Sequence, residues 1–240
     1  MNKNNSQIPY IIIVFAAILL IGYELYTAKL DMKDLGTGLI ALLGTVVGAT
    51  LAFKLNEDRE HEREHAAHRI ALNRVLFTIA RQRNAIRFLS QEIEPYKTSF
   101  DRAFNFPATV PPPYKDLIFQ FETLDFLLES DNTNCLYRLS VEQERFHQVI
   151  ESLNIRNEFY VRELQPEMAR LKLNNKSIKL DEIQSLLGER LYGTAINSAE
   201  IYNSHIATSM ESLCNMQKEI WDVAKKQYPK HQFIKYIEKI

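Results

Sequence analysis

Two runs without a charged side chain lie within the first 53 residues, and they constrain this chain more than any other feature. Between Ile8 and Tyr23 only the phenols of Tyr10 and Tyr23 can ionise. Leu25 and Tyr26 extend that run towards the ~20 residues a helix needs to cross about 30 Å of hydrocarbon. Leu35 to Phe53 is a second uncharged run. A cleaved signal peptide fits poorly, because only Lys3 precedes the first run, no small-x-small site follows it, and the second run comes almost at once. Two membrane spans are therefore expected, at about 8–26 and 35–53, forming a helical hairpin within residues 1–55.

Lysine and arginine counts beside the spans set the orientation. The loop between them offers Lys29 and Lys33, whereas the stretch after the second span offers Lys54, Arg59, Arg63, Arg69 and Arg74. The positive-inside rule places both termini in the cytoplasm, with the chain in a plasma (inner) membrane. Cys135 and Cys214 then face a reducing compartment, and with no CxxC pair they read as reduced, buried thiols.

Residues 56–240 are of a different kind. They hold all six histidines and 25 Lys and Arg against 27 Asp and Glu, a balance that gives nucleic-acid phosphates no attracting field, so direct nucleic-acid binding is not expected. Gly188 and Gly193 are the only glycines after Gly48, which argues against glycine-rich phosphate loops and turn-dense all-β folds. Apolar residues recur at helical spacing throughout, and no sustained period-two alternation is found.

The spacing predicts an all-α chain: a transmembrane hairpin followed by a cytoplasmic antiparallel bundle of helices. One helix should leave the membrane and run to about Glu94, where Pro95 stops it, burying Leu72, Leu76, Ile79, Ile86, Leu89 and Ile93 with an interruption at Gln82 and Arg83. A short helix around Lys97 to Phe104 and a proline-rich loop at about 105–113 follow. Tyr114 to Ser130 reads as an amphipathic helix with Leu117, Phe121, Leu124 and Leu128 on one stripe. Ser140 and Gln143 have capping-box spacing for a helix of more than twenty residues that runs to Pro166 and is kinked or reset there. Leu180 to Leu191 and Thr194 to Lys226 read as helices divided at Gly193.

Three sets of residues are candidates for function. In the second span, Gly44, Gly48 and Ala52 repeat every four residues, with Ala41, Thr45 and Ala49 beside them. Side chains this small let another helix approach closely, which drives association where lipid offers no hydrophobic gain. Packing on the first span of the same chain is the plain alternative to self-association. At the C-terminus, Lys230, Phe233, Lys235, Ile237 and Lys239 resemble a basic amphipathic segment on an anionic membrane surface, against the simpler reading of a last helix docked on the bundle. His61-Glu62-Arg63-Glu64-His65 spells HExxH, the zinc-protease string. Its neighbours Arg59, Glu60, Arg63 and Glu64 instead make a solvated, charge-laced helix, so no metal site, cofactor or catalytic residue is assigned. No GxSxG, SxxK, Walker or kinase string is present. Tyr160, Tyr192, Tyr202, Phe119 to Phe126 and Trp221 read as core, and His147 and His205 as residues with structural partners.

The run Gly38-Leu39-Ile40-Ala41-Leu42-Leu43-Gly44-Thr45, continuing through Gly48-Ala49-Thr50-Leu51-Ala52-Phe53 into Asn56-Glu57-Asp58-Arg59-Glu60, resembles the span-plus-charged-helix of uncharacterised bacterial two-transmembrane helical proteins. Leu124-Asp125-Phe126-Leu127-Leu128-Glu129-Ser130-Asp131, with Leu139-Ser140-Val141-Glu142-Gln143-Glu144-Arg145-Phe146-His147, is similar to that group as well. Some members with this plan resemble membrane effectors of retron-type anti-phage systems, which a partner holds silent until release lets them damage the inner membrane. The resemblance covers most of the chain as architecture and implies nothing about individual residues. It implies a non-enzymatic effector whose partners are the lipid bilayer, further copies of itself, and a cytoplasmic regulatory protein or ribonucleoprotein. A membrane-tethered scaffold or sensor that binds a cytoplasmic protein is the other expectation.

Overall fold

No proline interrupts the chain between Met32 and Glu94, and in the computed structural model this stretch is one helix, α1 (Met32–Ile93), of 62 residues. Pro95 follows its end, because a proline ring disfavours helical backbone at the preceding residue. The structure describes residue 23 and residues 32–110, 114, 116–128, 132–173 and 180–235. The predicted first span at 8–26 lies outside the described residues apart from Tyr23, which is helical. Every described element is helical. After α1 come a π-helical turn (Asp101–Asn105), a 3-10 segment (Phe121–Leu127), α2 (Thr133–Phe159), a second π turn (Tyr160–Leu164), α3 (Gln165–Arg170) and α4 (Leu180–Gln227). No strand occurs among the described residues.

The chain divides into two units, Met1–Arg63 and Glu64–Ile240, a boundary beyond residue 55 and inside the charged stretch. In the first unit no described side chain is buried. Among the described residues one helix is long and apolar enough to cross a membrane, and its apolar window has no share inside the fold.

The second unit owns the core. Leu72, Leu76, Ile79, Ile86, Leu89 and Ile93 of α1 are all buried, as their spacing predicts, and pack with Leu139, Phe146 and Leu153 of α2 and Tyr202, Leu213 and Ile220 of α4. Polar contacts between α2 and α4 run in opposite chain sense: Arg138 Nε donates to Glu219 at 3.0 Å, and Ser212 donates to Glu142. A smaller apolar cluster joins Phe104, Leu164, Leu187, Ala195 and Ala199.

Three elements differ from expectation, and a fourth resets at Pro166 as expected. Residues 117–120 are non-helical and Phe121–Leu127 is a 3-10 segment, so the predicted helix over 114–130 is not formed among the described residues there. Two buried amides take up its backbone groups. Gln82 Nε2 donates to the Leu117 carbonyl at 2.8 Å, and the Phe119 N–H donates to Gln143 Oε1 at 3.0 Å. Leu117, Phe119, Leu124 and Leu127 are buried in consequence, while Leu128 is half exposed. Helix α2 begins at Thr133, not Ser140, whose hydroxyl donates back to the Tyr137 carbonyl at 2.7 Å inside the helix. Near Pro166 the helix widens into the π turn Tyr160–Leu164 before α3 starts with proline in its first turn. That accommodates the missing N–H, which an uninterrupted α-helix would have needed. Finally, α4 is interrupted at Gly188 (φ 73°, ψ 162°), and Gly193 is helical. Both glycines could break a helix by composition; only Gly188 takes the backbone angles reserved for glycine.

Candidate functional site

The apolar length of α1 carries large side chains that stay largely exposed. Ile40, Leu43, Val47, Leu51 and Phe53 are all more than half exposed. In water such a surface is unfavourable by roughly 25 cal/mol per Å², so it requires an apolar medium or another helix. Its polar groups are self-satisfied. Thr45 Oγ1 donates to the Ala41 carbonyl at 2.9 Å, and Thr50 Oγ1 to the Val46 carbonyl at 2.7 Å. Neither hydroxyl then imposes the several kcal/mol that a bare donor costs in hydrocarbon.

On this segment Ala41, Gly44, Thr45, Gly48, Ala49 and Ala52 all stand exposed. A Cβ added at Gly44 or Gly48 would meet nothing within 4 Å. The sequence expectation of a close-packing face thus falls on a surface that is open in this structure, free to take another helix or lipid.

The C-terminal residues are placed differently from a membrane-lying helix. Helix α4 ends at Gln227, and Tyr228 to Lys235 fold back as a non-helical strap. Phe233 is 7% exposed and packs in the main core, so it is not available to lipid. The Ile234 N–H donates to Asn73 Oδ1 at 3.1 Å, and Lys225 Nζ donates to the His231 carbonyl at 2.7 Å. Lys230 and Lys235 are exposed, while Ile237 and Lys239 lie outside the described residues. The helical periodicity of this stretch was outweighed by Pro229, which follows directly on the helix end.

His65 and His68 are engaged by that strap. Their Nδ1 atoms lie 3.3 and 3.2 Å from the Tyr228 hydroxyl, and His68 stacks on Phe126 with ring centres 3.9 Å apart. Burial holds the His68 imidazole below its ordinary pKa, with Glu64 opposing and His65 adding to the shift. Arg69 lies over the Tyr228 ring at 5.7 Å. Among the described residues no three His, Cys, Asp or Glu side chains are grouped to hold a metal. His61 and Glu62 are exposed in the first unit, whereas His65 belongs to the second.

Sequence reasoning missed the most buried charge among the described residues. Arg156 is 2% exposed; its Nη1 donates to the Pro107 carbonyl at 3.0 Å, and its Nη2 to the carbonyl of Phe106 and, at 3.4 Å, that of Arg102. Its guanidinium sits 4.6 Å from the Phe106 ring centre and 4.8 Å from that of Tyr160. Burial pushes its pKa down to about 10. The group therefore pins the loop after the first π turn. The signal was available in the spacing, since Arg156 falls on the period of Val149, Leu153 and Tyr160. His147 has its structural partner, Gln143 Nε2 at 3.0 Å.

An open groove lies between the later part of α2 and the middle of α4. It has a volume of about 490 Å³ and is lined by Ser152, Ile155, Gly193, Asn197, Ile201 and His205 among others. The His205 Nδ1 atom is buried and has no hydrogen-bond partner. Compared with protein-family models, curated proteins and solved structures, the chain matches none.

Proposed function

We propose that this chain is a non-enzymatic inner-membrane effector, acting in anti-phage defence, whose spans assemble and perturb the membrane when a regulating partner releases the helical domain. In this reading the apolar part of α1 and the run at 8–26 form a transmembrane hairpin, both termini are cytoplasmic, and residues 64–240 form an antiparallel bundle. The observation that carries it is the exposed face of Ala41, Gly44, Thr45, Gly48, Ala49 and Ala52, on which a Cβ added at Gly44 or Gly48 meets nothing within 4 Å among the described residues. Small-residue faces associate through close backbone approach, and that is the interaction assembly needs.

The test is membrane potential, read by dye fluorescence in cells induced to express the chain with its regulating partner removed. The native chain should depolarise the cells, and a chain with Gly44→Leu and Gly48→Leu together should not, because leucine holds the backbones apart. An unchanged potential with the native chain would sink the effector reading. The groove between α2 and α4 favours the second reading, a membrane-tethered scaffold or sensor that binds a cytoplasmic protein. Such a scaffold keeps its activity in the double leucine variant.

A further inference from the structure

The near-neutral balance of the polar region conceals a segregation of charge. Between Glu64 and Glu92 the chain carries no acidic residue, yet Arg69, Arg74, Arg81, Arg83 and Arg87 all fall there. This whole stretch belongs to α1 within the second unit. One side of it is spent on the core. The positions left exposed on the other side are Ile70, Arg74, Phe77, Arg81, Asn84, Phe88 and Gln91, which alternate steps of four and three residues. That alternation is the seam a helix presents to a partner helix in knobs-into-holes packing.

The seam is apolar at its anchors and basic between them. Ile70, Phe77 and Phe88 are 56%, 53% and 47% exposed. The Arg81 guanidinium lies over the Phe77 ring at 5.8 Å, and Arg74 Nη1 donates to the Gln120 amide oxygen at 2.9 Å. Arg87 donates to Asn84 Oδ1. Among the described residues none of Arg69, Arg74, Arg81 and Arg87 is ion-paired with a carboxylate. By contrast, Arg102, Arg138, Arg145 and Arg190 each hold one.

We propose that this face of α1 is the docking surface for an acidic amphipathic helix of a partner protein, with apolar side chains seated on Ile70, Phe77 and Phe88 and carboxylates facing Arg74, Arg81 and Arg87. Charge chooses the occupant. A second copy of this seam would bring its own unpaired arginines against these, and like charges at a helix interface are unfavourable. The shape favours a helix over a bilayer, since the flanking positions Asn73, Thr78, Ala80 and Arg87 are half-buried, the far side is core, and the exposed strip is narrow. Nucleic-acid phosphates would use the arginines but leave three large apolar anchors idle. The seam belongs to the second unit and the small-residue face to the first, so the proposal stands whether or not that face assembles.

The test uses the full chain in nanodiscs of zwitterionic lipid and a fluorescent helical peptide of about three heptads, with leucine at the two seam positions and glutamate beside them. Anisotropy should show saturable binding that weakens as salt rises, and a scrambled peptide of equal composition should not bind. Phe77→Ala and Arg81→Glu should each weaken binding about tenfold or more, the loss expected for an anchor residue. Both side chains are exposed, so unchanged far-ultraviolet circular dichroism will show that each variant folds. No peptide binding, equal binding of the scrambled peptide, or full affinity in both variants would overturn the proposal. So would tighter binding of a single-stranded RNA than of the peptide, loss of peptide binding in discs of anionic lipid, or a dimer that Phe77→Ala dissociates.

Discussion

Arg156 is a charge taken almost wholly out of water without a carboxylate among the described residues to balance it. Carbonyl oxygens of Arg102, Phe106 and Pro107 and the faces of Phe106 and Tyr160 do that work instead. Truncating it leaves those carbonyls unpaired in a cavity, and the expected cost of Arg156→Ala is about 3 kcal/mol. Urea unfolding of the solubilised chain, followed by circular dichroism, measures it; a loss within experimental error would show that the loop holds itself. His68 makes a different demand, because its pKa is lowered in the folded state, chiefly by burial. A histidine depressed in this way supports folding fully above its unfolded pKa of about 6.5, and that contribution is lost as pH falls towards and through its lower native value. Stability should therefore drop below about pH 6.5, and a His68→Gln chain should show a shallower drop. A slope that His68→Gln leaves unaltered would assign the acid sensitivity to other groups.

At the scale of elements, the two late glycines separate what sequence could say from what it could not. Either could divide the last helix, and the expectation of a break at Gly193 rested on composition alone. The backbone places the break at Gly188, with angles that a side chain adopts only under strain. Gly188→Ala should cost about 1–3 kcal/mol. Gly193 is helical and a Cβ there meets nothing within 4 Å, so Gly193→Ala should stabilise by up to about 1 kcal/mol. Thermal unfolding of the two variants, compared with the native chain, should move in opposite directions; a shared direction would refute this account. Other elements divide on the same line. The long α1 and the burial of its Leu72-to-Ile93 stripe were legible, because repeated apolar spacing over many turns overrides local detail. The stretch 117–128 was not, since Gln82 and Gln143 reach its backbone from distant positions in the sequence and decide its form. The small-residue face was legible as a pattern, whereas the strap that engages His65 and His68 depends on a contact between residues 160 or more positions apart.

Across the whole molecule, the two units differ in whether their apolar side chains form a core: those of the second unit do, and those described in the first stand largely exposed. Every buried hydrophobic residue among those described lies at Ala71 or beyond, while the first unit offers Leu39 to Leu55 without a buried side chain. A chain that begins at Glu64 keeps the whole of that core, the Arg156 clamp and the strap from Tyr228 to Lys235. It loses the exposed apolar stretch Leu39 to Leu55, which water disfavours, together with the charged turns from Asn56 to Arg63. The full chain should therefore sediment with membranes, resist extraction by salt or carbonate, and enter solution only in detergent. The chain from Glu64 onward should instead stay in the soluble fraction as a folded helical protein with a single cooperative unfolding transition. Salt-extractable full chain would mean that the apolar part of α1 is covered by protein and not by lipid, and the face at Gly44 and Gly48 would then have its partner in that contact. Aggregation of the shorter chain would mean that the second unit needs the first for its own packing, contrary to a core in which residues 36–63 take no part.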